Sequence, residues 1–433
     1  MKDRIANFFK KKKKKPGWRF YDAPDNREQG KVEHKVFSLH NALVLGLAAN
    51  KPTLRDVESM TKGLHLEYRG LVPRPISDTT LDEAVRRLDV EYLTCKLVQQ
   101  VREDFRAKML APVFLPCGVV TVDGKNLATL GHDADGVGHS RSKENEKWQG
   151  KKDGEYFLYP ALRASLTSAE SRPIILQKML PPKTGESTSF IVFVDALHAA
   201  YGRGGMFDVI DVDAGLTSLA NADHVDSLDY AYIMGLKGNQ TDLHEEAHRL
   251  LLPKASYEAP EAETSWERRG SSHMRRRLWR TDGMTGFENS VGKWSHLRQT
   301  WLVRQETRSA DGSVTTEDRY FITSALWNYF TPEQILSMVR SHWRVENDCF
   351  NSLDLQWRED SAPWCTKENA ILGLSLLRVM AYNLVQQLRR RRLRRKDENG
   401  QREAPMSWRE IFKLIVLTIE TADFGETAFT AVA

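Results

Sequence analysis

The hydrophobic and polar positions of residues 331–360 follow a helical period. Thr331 precedes Pro332 and Gln334, a pattern typical of an N-cap, a proline in the first helical turn and a capping-box partner. A period of 3.6 residues places six side chains on one face: Val339, His342, Trp343, Glu346, Phe350 and Leu353. The pattern predicts a helix that begins at Thr331, continues past Phe350 and carries Glu346 within an apolar stripe. Because an isolated buried charge is very costly, this carboxylate needs a cationic or amide partner or a metal ion.

Short β-branched runs dominate the chain before this helix. The predicted strands lie within residues 113–125, 155–167, 172–181, 206–218 and 230–240. Helical periods separate the later strands, at 186–201 and at 222–228. The order is therefore three strands, a helix, a strand, a helix and a strand. This order predicts an α/β fold, a ribonuclease-H-like mixed sheet with helices on both faces.

Changes in composition and in hydrophobic periodicity along the chain predict its domain organisation. The predicted segments are a basic flexible arm (1–30), an N-terminal helical domain (31–111), the first part of the catalytic core (112–252), a mainly β insertion (253–325), the second part of the core with the glutamate helix and a basic helix (326–396), and a C-terminal helical segment (397–433). We expect the insertion to cover one side of the active face. The N-terminal helical domain is either a DNA-binding module, presenting Thr79, Thr80, Arg86 and Arg87, or a packing domain.

Basic residues are bunched, although the net charge is only +5. Lysine fills positions 10–15, arginine fills 275–277, and seven of the nine residues from 388 to 396 are basic. Local positive patches on a nearly neutral protein indicate a polyanionic partner, most simply nucleic acid, although a solvated helix face is the alternative for any one run. We expect the arginine-rich end of the last long helix, after residue 387, to project into solvent.

Cysteine usage and hydropathy indicate the cellular compartment expected for the protein. The four cysteines lack a CxxC pair and zinc-ligand spacing, which is typical of reduced thiols in a cytosolic protein. No stretch of about 18 apolar residues occurs, so a membrane-spanning segment is not expected. Secretion is not expected either.

Two aspartates follow apolar runs of the predicted sheet. Asp123 and Asp213 each stand at the predicted end of a strand, and Glu346 lies on the inward face of its helix. Ligand-binding groups in open α/β folds gather at the ends of strands, so these three acids can converge. Oxygen ligands suit Mg²⁺, and two such ions can activate a water or hydroxyl for attack on a phosphodiester. A strand-end aspartate before glycine can instead be only a turn former.

Two other aspartates compete for the second position. Asp211 lies on the same strand face as Asp213, and Asp195 lies in the segment FIVFVDALHAAYG. We favour Asp213 because the run terminates there in Ala-Gly, whereas the period around Asp195 suits a helix.

Several motifs together resemble a known family. They are VDGK (122–125), KTGE (183–186), DAG (213–215), LKGNQ (236–240), RYFITS (319–324), HWRVEN (342–347) and LDLQWRED (353–360). Their order and spacing over about residues 36–390 resemble the DDE transposases of bacterial insertion sequences. The subgroup that carries an HWxxEN glutamate motif, which includes the H-repeat-associated proteins, is the most similar.

The resemblance implies roles for individual residues. Asp123, Asp213 and Glu346 would form the catalytic triad and bind two Mg²⁺ ions, for which Mn²⁺ can substitute. The implied DNA-binding residues are Lys125, Lys237, Asn239, His342, Arg344 and Asn347. The wider signature Tyr-x-x-Arg-x-x-x-Glu-x-x-x-x-x-x-Lys is absent, because Val339, His342 and Leu353 occupy its Tyr, Arg and Lys positions. His342 can contact DNA or pack beside Glu346, and Trp343 can pack in the core or stack on bases.

The expected function is that of a bacterial transposase, in the cytoplasm at the nucleoid. Such an enzyme binds the terminal inverted repeats of its insertion sequence, cleaves the DNA and joins the freed end to target DNA. Its partners are the element ends and the target DNA, and holding two ends together implies a homodimer on DNA. The alternatives are a ribonuclease-H-like DNA nuclease without strand transfer and a catalytically inactive DNA-binding remnant.

Overall fold

The structure is a computed structural model. It describes residues 2–25, 27, 30, 32–133, 138–141, 156–238, 240–284, 294, 296–361, 364, 368–394, 398 and 403–420. The helices are α1 (Lys2–Lys12), α2 (Val36–Ala48), α3 (Leu54–Lys62), α4 (Asp78–Val85), α5 (Val90–Arg106), α6 (Glu186–Tyr201), α7 (Leu219–Ser227), α8 (Thr241–Tyr257), α9 (Pro332–Arg344), α10 (Asn351–Trp357), α11 (Glu368–Gln387) and α12 (Trp408–Ile419). The strands are β1 (Val119–Leu130), β2 (His139–Arg141), β3 (Tyr156–Leu166), β4 (Ile174–Met179), β5 (Val209–Val212), β6 (Ala231–Leu236), β7 (Ala262–Glu263), β8 (Glu267–Arg269), β9 (Ser272–Thr281), β10 (Gln299–Arg308) and β11 (Val314–Thr323).

One mixed sheet organises the described residues. Its strand order is β2-β3-β1-β5-β6-β11-β10-β9-β7, with β4 also pairing with β3 and β8 with β9. Strand β1 is antiparallel to β3 and parallel to β5, and β5 is parallel to β6. The α/β architecture with a mixed sheet, predicted from the order of strands and helices, is confirmed.

Alternate residues of the central strands face opposite layers, as strand geometry requires. Val120 and Val122 of β1 belong to a hydrophobic cluster with side chains of α6 and α11. Val119 belongs to a second cluster, which contains Ile335 and Val339 of α9. The odd-numbered positions of β1 therefore face the layer that contains α9.

The β insertion extends the sheet. Strand β11 pairs antiparallel with β6, β10 pairs with β11, and β9 pairs with β10. The strands of the insertion thus continue the hydrogen-bonding ladder beyond β6. The long alternating runs of β10 and β11 supply the paired edges that make this continuation possible. The insertion also contacts the glutamate helix, since Arg340 of α9 pairs with Glu267 of β8 at 2.6 Å. That the insertion covers one side of the active face stays a prediction.

The N-terminal segment is folded, and its interpretation as a flexible arm is wrong. Residues 2–12 form α1, whose Ile5, Phe8 and Phe9 are buried. Lys12 is 6% exposed, and its Nζ donates to Oδ1 of Asp104 at 2.6 Å. These residues lie three or four positions apart on one helical face, whereas most of the lysine run lies on the other.

The N-terminal helices share a core with the sheet. Buried side chains of α2, α3, α4 and α5 belong to the same hydrophobic cluster as those of α11. Leu54 begins α3 after the capping box of Thr53 and Asp56, and Ser77 caps α4. The proposed DNA-reading role of α4 stays a prediction.

The arginine-rich end of α11 packs against the protein. A π-helical turn, Leu388–Arg392, follows the helix. Arg389 donates to the backbone oxygen of Met406, and Arg391 donates to that of Lys108. The expectation that this end projects into solvent is therefore wrong. The helix of residues 370–392 is long and apolar enough to span a membrane. However, 94% of its apolar 18-residue stretch is buried within the protein, as in a core helix.

Candidate active site

Asp123 lies within a strand, and the predicted end of the strand at Asp123 is wrong. Strand β1 continues to Leu130. Its parallel pairing with β5 nevertheless ends at Val122↔Val212, and Asp213 is the first residue after β5. Asp123 and Asp213 therefore follow the last paired residues of two neighbouring parallel strands. Strand β1 does not turn because its antiparallel partner β3 still pairs with it, placing Asp123 opposite Arg163.

Glu346 lies in a π-helical turn. Thr331 caps α9 and forms the predicted capping box with Gln334. The helix continues through the π-helical turn Val345–Phe350 into α10, which confirms that the helical segment passes Phe350. We call this turn the glutamate turn. Single π-helical turns occur frequently at functional sites.

The expected burial of Glu346 is wrong. Glu346 is exposed, whereas Val345 and Cys349 on either side of it are fully buried. The carboxylate of Glu346 is consequently accessible from solvent. The rest of the predicted face is largely kept, because Val339, Phe350 and Leu353 are buried.

Electrostatic coupling shows that the three acids lie near one another. Burial raises the pKa of Asp123; the charge of His342 lowers it, and the charges of Asp213 and Glu346 raise it, giving a pKa of about 7. Asp123 Oδ1 accepts a hydrogen bond from the backbone N–H of Gly124 at 2.7 Å. Asp213 Oδ1 accepts one from the backbone N–H of Gly215 at 3.0 Å. The site is a cluster of carboxylates at the ends of β1 and β5, opposite the glutamate turn.

His342 adds a positive charge to this cluster. Its Nδ1 lies 2.9 Å from Oδ2 of buried Asp211, which also accepts a hydrogen bond from Thr121 Oγ1 at 2.9 Å. Burial lowers the pKa of His342, but the charge and hydrogen bond of Asp211, with the charges of Asp123 and Asp213, outweigh burial and raise it to about 9. The imidazole is therefore protonated at neutral pH and forms an ion pair with the carboxylate of Asp211.

Glu186 is a further carboxylate beside the site, which the sequence analysis missed. A Cβ atom added to Gly124 would lie 2.0 Å from Glu186 Oε1, so the missing side chain of Gly124 leaves room for this carboxylate. Burial, and then the charge of Asp213, raise the pKa of Glu186. The signal was present in the sequence, because Glu186 is the last residue of KTGE and the predicted first residue of α6.

A comparison with protein families is decisive. The sequence profile of the family described as "Transposase DDE domain" matches residues 118–384, more than half of the chain. The chain belongs to this DDE transposase family. The resemblance to DDE transposases and the ribonuclease-H-like fold class are thereby confirmed.

A curated relative adds a local similarity. The chain is 25% identical over 158 residues to a protein of Xanthobacter autotrophicus described as "Uncharacterized protein in dhlA 3'region". The similar region covers 36% of this chain and 50% of that protein. The chain thus spans about half the length of this relative.

Two of the implied DNA-binding residues already have partners within the protein. Lys125 Nζ lies 2.5 Å from Asp354 Oδ2, and His342 is paired with Asp211. Lys237 follows β6 and is exposed. Asn239 lies outside the described residues. The intramolecular carboxylates compete with DNA phosphates for Lys125 and His342, and Lys237 is open to solvent.

The other two implied DNA-binding residues flank Glu346. Asn347 is exposed; its Nδ2 donates to the backbone oxygen of Trp343 at 2.8 Å, and its Oδ1 accepts from Arg269 at 3.3 Å. Arg344 is half-buried, and burial, followed by the nearby charge of Arg172, lowers its pKa to about 10. Both residues remain candidates for contact with DNA.

Trp343 is held between two arginines of the insertion. The guanidinium carbons of Arg276 and Arg319 lie 5.1 Å and 4.1 Å from the centre of the indole ring. Such cation–π contacts fix the ring in place. This arrangement favours the packing interpretation of Trp343 over base stacking, and it ties the glutamate helix to β9 and β11.

The carboxylate cluster has the chemistry of a magnesium site without the geometry of a closed coordination shell. No group of three or more His, Cys, Asp or Glu side chains is arranged to hold a metal ion among the described residues. Carboxylate oxygens are the ligands that Mg²⁺ prefers, and the charges of Asp213 and Glu346 destabilise ionised Asp123. A bound cation would relieve this repulsion, so the donor set fits divalent metal ions.

The crowding of Asp123 predicts a pH-dependent gain in stability for Asp123→Asn. Its folded-state pKa of about 7 exceeds the ordinary value of 3.8, so the folded protein binds an extra proton between these values, and the free energy of unfolding falls as pH rises toward 7. In EDTA at pH 8, we expect Asp123→Asn to be more stable by about 1–3 kcal/mol, with the gain shrinking below pH 7. Urea unfolding of this variant and of exposed Asp223→Asn, which should show no such trend, measures the difference.

Proposed function

We propose that the chain binds the terminal inverted repeats of an insertion sequence and catalyses metal-dependent DNA cleavage and strand transfer. The observation that carries this proposal is the grouping of Asp123 and Asp213, beyond the paired ends of β1 and β5, with Glu346 of the glutamate turn. Family membership supports a transposase, and the carboxylate cluster supports chemistry on phosphodiesters. The phosphodiester at the 3′ end of the element would be hydrolysed first, and the freed 3′-hydroxyl would then attack target DNA.

Asp123, Asp213 and Glu346 would hold two Mg²⁺ ions, with Mn²⁺ as a substitute. Such ions lower the pKa of an attacking water or hydroxyl and stabilise charge on the leaving oxygen. Asp211 orients His342, and the protonated imidazole adds positive charge beside Asp123 and Asp213. Gly124 leaves space for Glu186, which adds a further acidic group at the same edge.

The proposed partners are element ends and target DNA. Asn347 lies in the glutamate turn, and Arg344 directly precedes this turn. Lys237 follows β6, the strand that pairs with β5. From these positions the three side chains could contact the DNA backbone. Joining two element ends to one target requires both ends to be held together, so we propose a homodimer on DNA. The proposed location is the nucleoid in the bacterial cytoplasm.

A strand-transfer assay tests the proposed function. Purified protein is incubated with labelled duplexes that carry the ends flanking its coding sequence, together with Mg²⁺ or Mn²⁺ and a plasmid target. We expect labelled ends joined to the plasmid. Cleaved but unjoined ends would instead support a nuclease, and a mobility shift without cleavage would support a DNA-binding remnant.

A further inference from the structure

We propose that three arginines beside the glutamate turn form a binding site for a phosphate of the DNA backbone. Arg172, Arg344 and Arg390, here called the arginine cluster, are distant in sequence and meet around Asp348. This inference rests on the proposed function, because it assigns part of the substrate to a particular place on the protein.

Separate elements supply the arginine cluster. Arg172 lies in the connection between β3 and β4, Arg344 is the last residue of α9, and Arg390 lies in the π-helical turn after α11. Arg172 Nη1 lies 2.5 Å from Asp348 Oδ2, and Arg390 Nη2 lies 3.2 Å from the same oxygen. The charges of Arg172 and Arg390 both act on Arg344. The guanidinium groups of Arg172 and Arg390 therefore meet at one oxygen of Asp348. Arg344 lies about one helical turn before Asp348 on the same helical segment.

The positive charge of the cluster exceeds its negative charge. Asp348 is the carboxylate shared by Arg172 and Arg390, and its charge also acts on Arg344. Nearby Arg340 has its own partner in Glu267, at 2.6 Å. Three cations therefore surround one anion, an arrangement that is unfavourable in a poorly hydrated site. An additional anion would balance the charge.

Arginine side-chain donors without partners also favour the binding of an anion. Arg172 is 8% exposed, and its Nε has no hydrogen-bond partner among the described residues. The side chain of Arg344 also has no hydrogen bond or ion pair within the described part of the chain. A buried donor without a partner costs free energy, and a guanidinium fork matches the oxygens of a phosphate. A phosphodiester that bound here would satisfy both residues.

The position of the cluster favours a DNA phosphate. Arg344 precedes Glu346 by two residues, and Asp348 follows it by two, so the cluster adjoins the proposed catalytic carboxylate. Arg344 is half-buried, which leaves a side open to solvent, whereas Arg172 forms the buried floor. A strand that approaches Glu346 would pass this opening. The cluster would thus hold a backbone phosphate near the scissile bond.

DNA-binding measurements with Arg344→Gln test the proposal. In metal-free buffer, the affinity for a labelled duplex of about 30 base pairs should fall about 3–10-fold at moderate salt, and the slope of log K against log salt should decrease by about 0.9, the value for one phosphate contact. Arg249→Gln is the matched control because Arg249 is exposed on α8 and paired with Glu246 at 2.7 Å. This control should bind like the wild type. Arg390→Gln, the second variant, should repeat the loss if Arg344→Gln does not fold.

Methylphosphonate substitution locates the contact. Neutral methylphosphonates are placed one at a time along the duplex that carries the element end. One or two positions should weaken binding by the wild type and have little further effect on Arg344→Gln, because the same contact is already lost. Identical salt slopes and identical methylphosphonate profiles for wild type and Arg344→Gln would overturn the inference while leaving the proposed function intact.

Inorganic phosphate separates the two sources of this ligand chemistry. If phosphate raises the melting temperature of the wild type but not of Arg344→Gln, and DNA binding by the two proteins is equal, the cluster takes a free anion and the inference is wrong. Failure of the wild type to cleave or join element ends, with DNA binding still sensitive to Arg344→Gln, would overturn the proposed function alone.

Discussion

Glu346→Gln should lower cleavage and joining of element ends by about 1,000-fold or more, a loss of about 4 kcal/mol of transition-state stabilisation. The amide keeps the size of the side chain but removes the negative charge that would hold a divalent cation. Glu346 is exposed on the glutamate turn, so the substitution leaves the core unchanged. Rates of strand cleavage and joining with Mg²⁺, together with DNA affinity, measure the effect.

Glu333→Gln is the control for this variant. Glu333 lies in the first turn of the same helix and is exposed. It should retain both activity and DNA binding, whereas Glu346→Gln should retain binding alone. Joining by Glu346→Gln at a rate close to that of the wild type would contradict the proposed role of this carboxylate.

Glu359→Gln should lower the free energy of unfolding by about 3–5 kcal/mol. Glu359 and Arg163 are both fully buried, and the guanidinium donates to the two carboxylate oxygens at 2.6 Å and 2.8 Å. Gln177 and Ser375 accept further hydrogen bonds from Arg163, at 2.6 Å and 2.9 Å. Neutralising Glu359 would leave the positive charge of Arg163 buried without its counter-ion.

Urea unfolding followed by tryptophan fluorescence measures this loss. The control is Glu246→Gln, since the ion pair of Glu246 with Arg249 lies at the surface, where such pairs contribute little. A Glu359→Gln variant that unfolds at the same urea concentration as the wild type would show that Arg163 finds another partner. Glu359 of the motif LDLQWRED thus ties the segment after α10 to Arg163 of β3.

Local sequence signals predicted the elements that carry the acidic residues. The Thr331, Pro332 and Gln334 pattern located the start of α9 because all its determinants lie within four residues. The helical period of residues 186–201 gave the bounds of α6, because the period is a local property of that segment. The order of strands and helices predicted the mixed sheet, because short connections restrict how such elements can pair.

Features that depend on distant contacts could not be predicted. The exposure of Glu346 does not follow from a 3.6-residue period, which places this residue on the same face as buried Val339 and Phe350. The continuation of β1 past Asp123 depends on its pairing with β3, and the pairing of His342 with Asp211 depends on two strands and a helix meeting. The lysine run of residues 10–15 suggested a mobile arm. The burial of Lys12 could not be predicted from this run, because it depends on Asp104 of the distant helix α5.

The most direct test of the catalytic site is a crystal structure of the protein with DNA and Mn²⁺, with anomalous scattering recorded for manganese. The proposed chemistry predicts anomalous peaks among the carboxylates of Asp123, Asp213 and Glu346, next to a backbone phosphate. Manganese bound elsewhere, with these three side chains making no contact with metal, would contradict it.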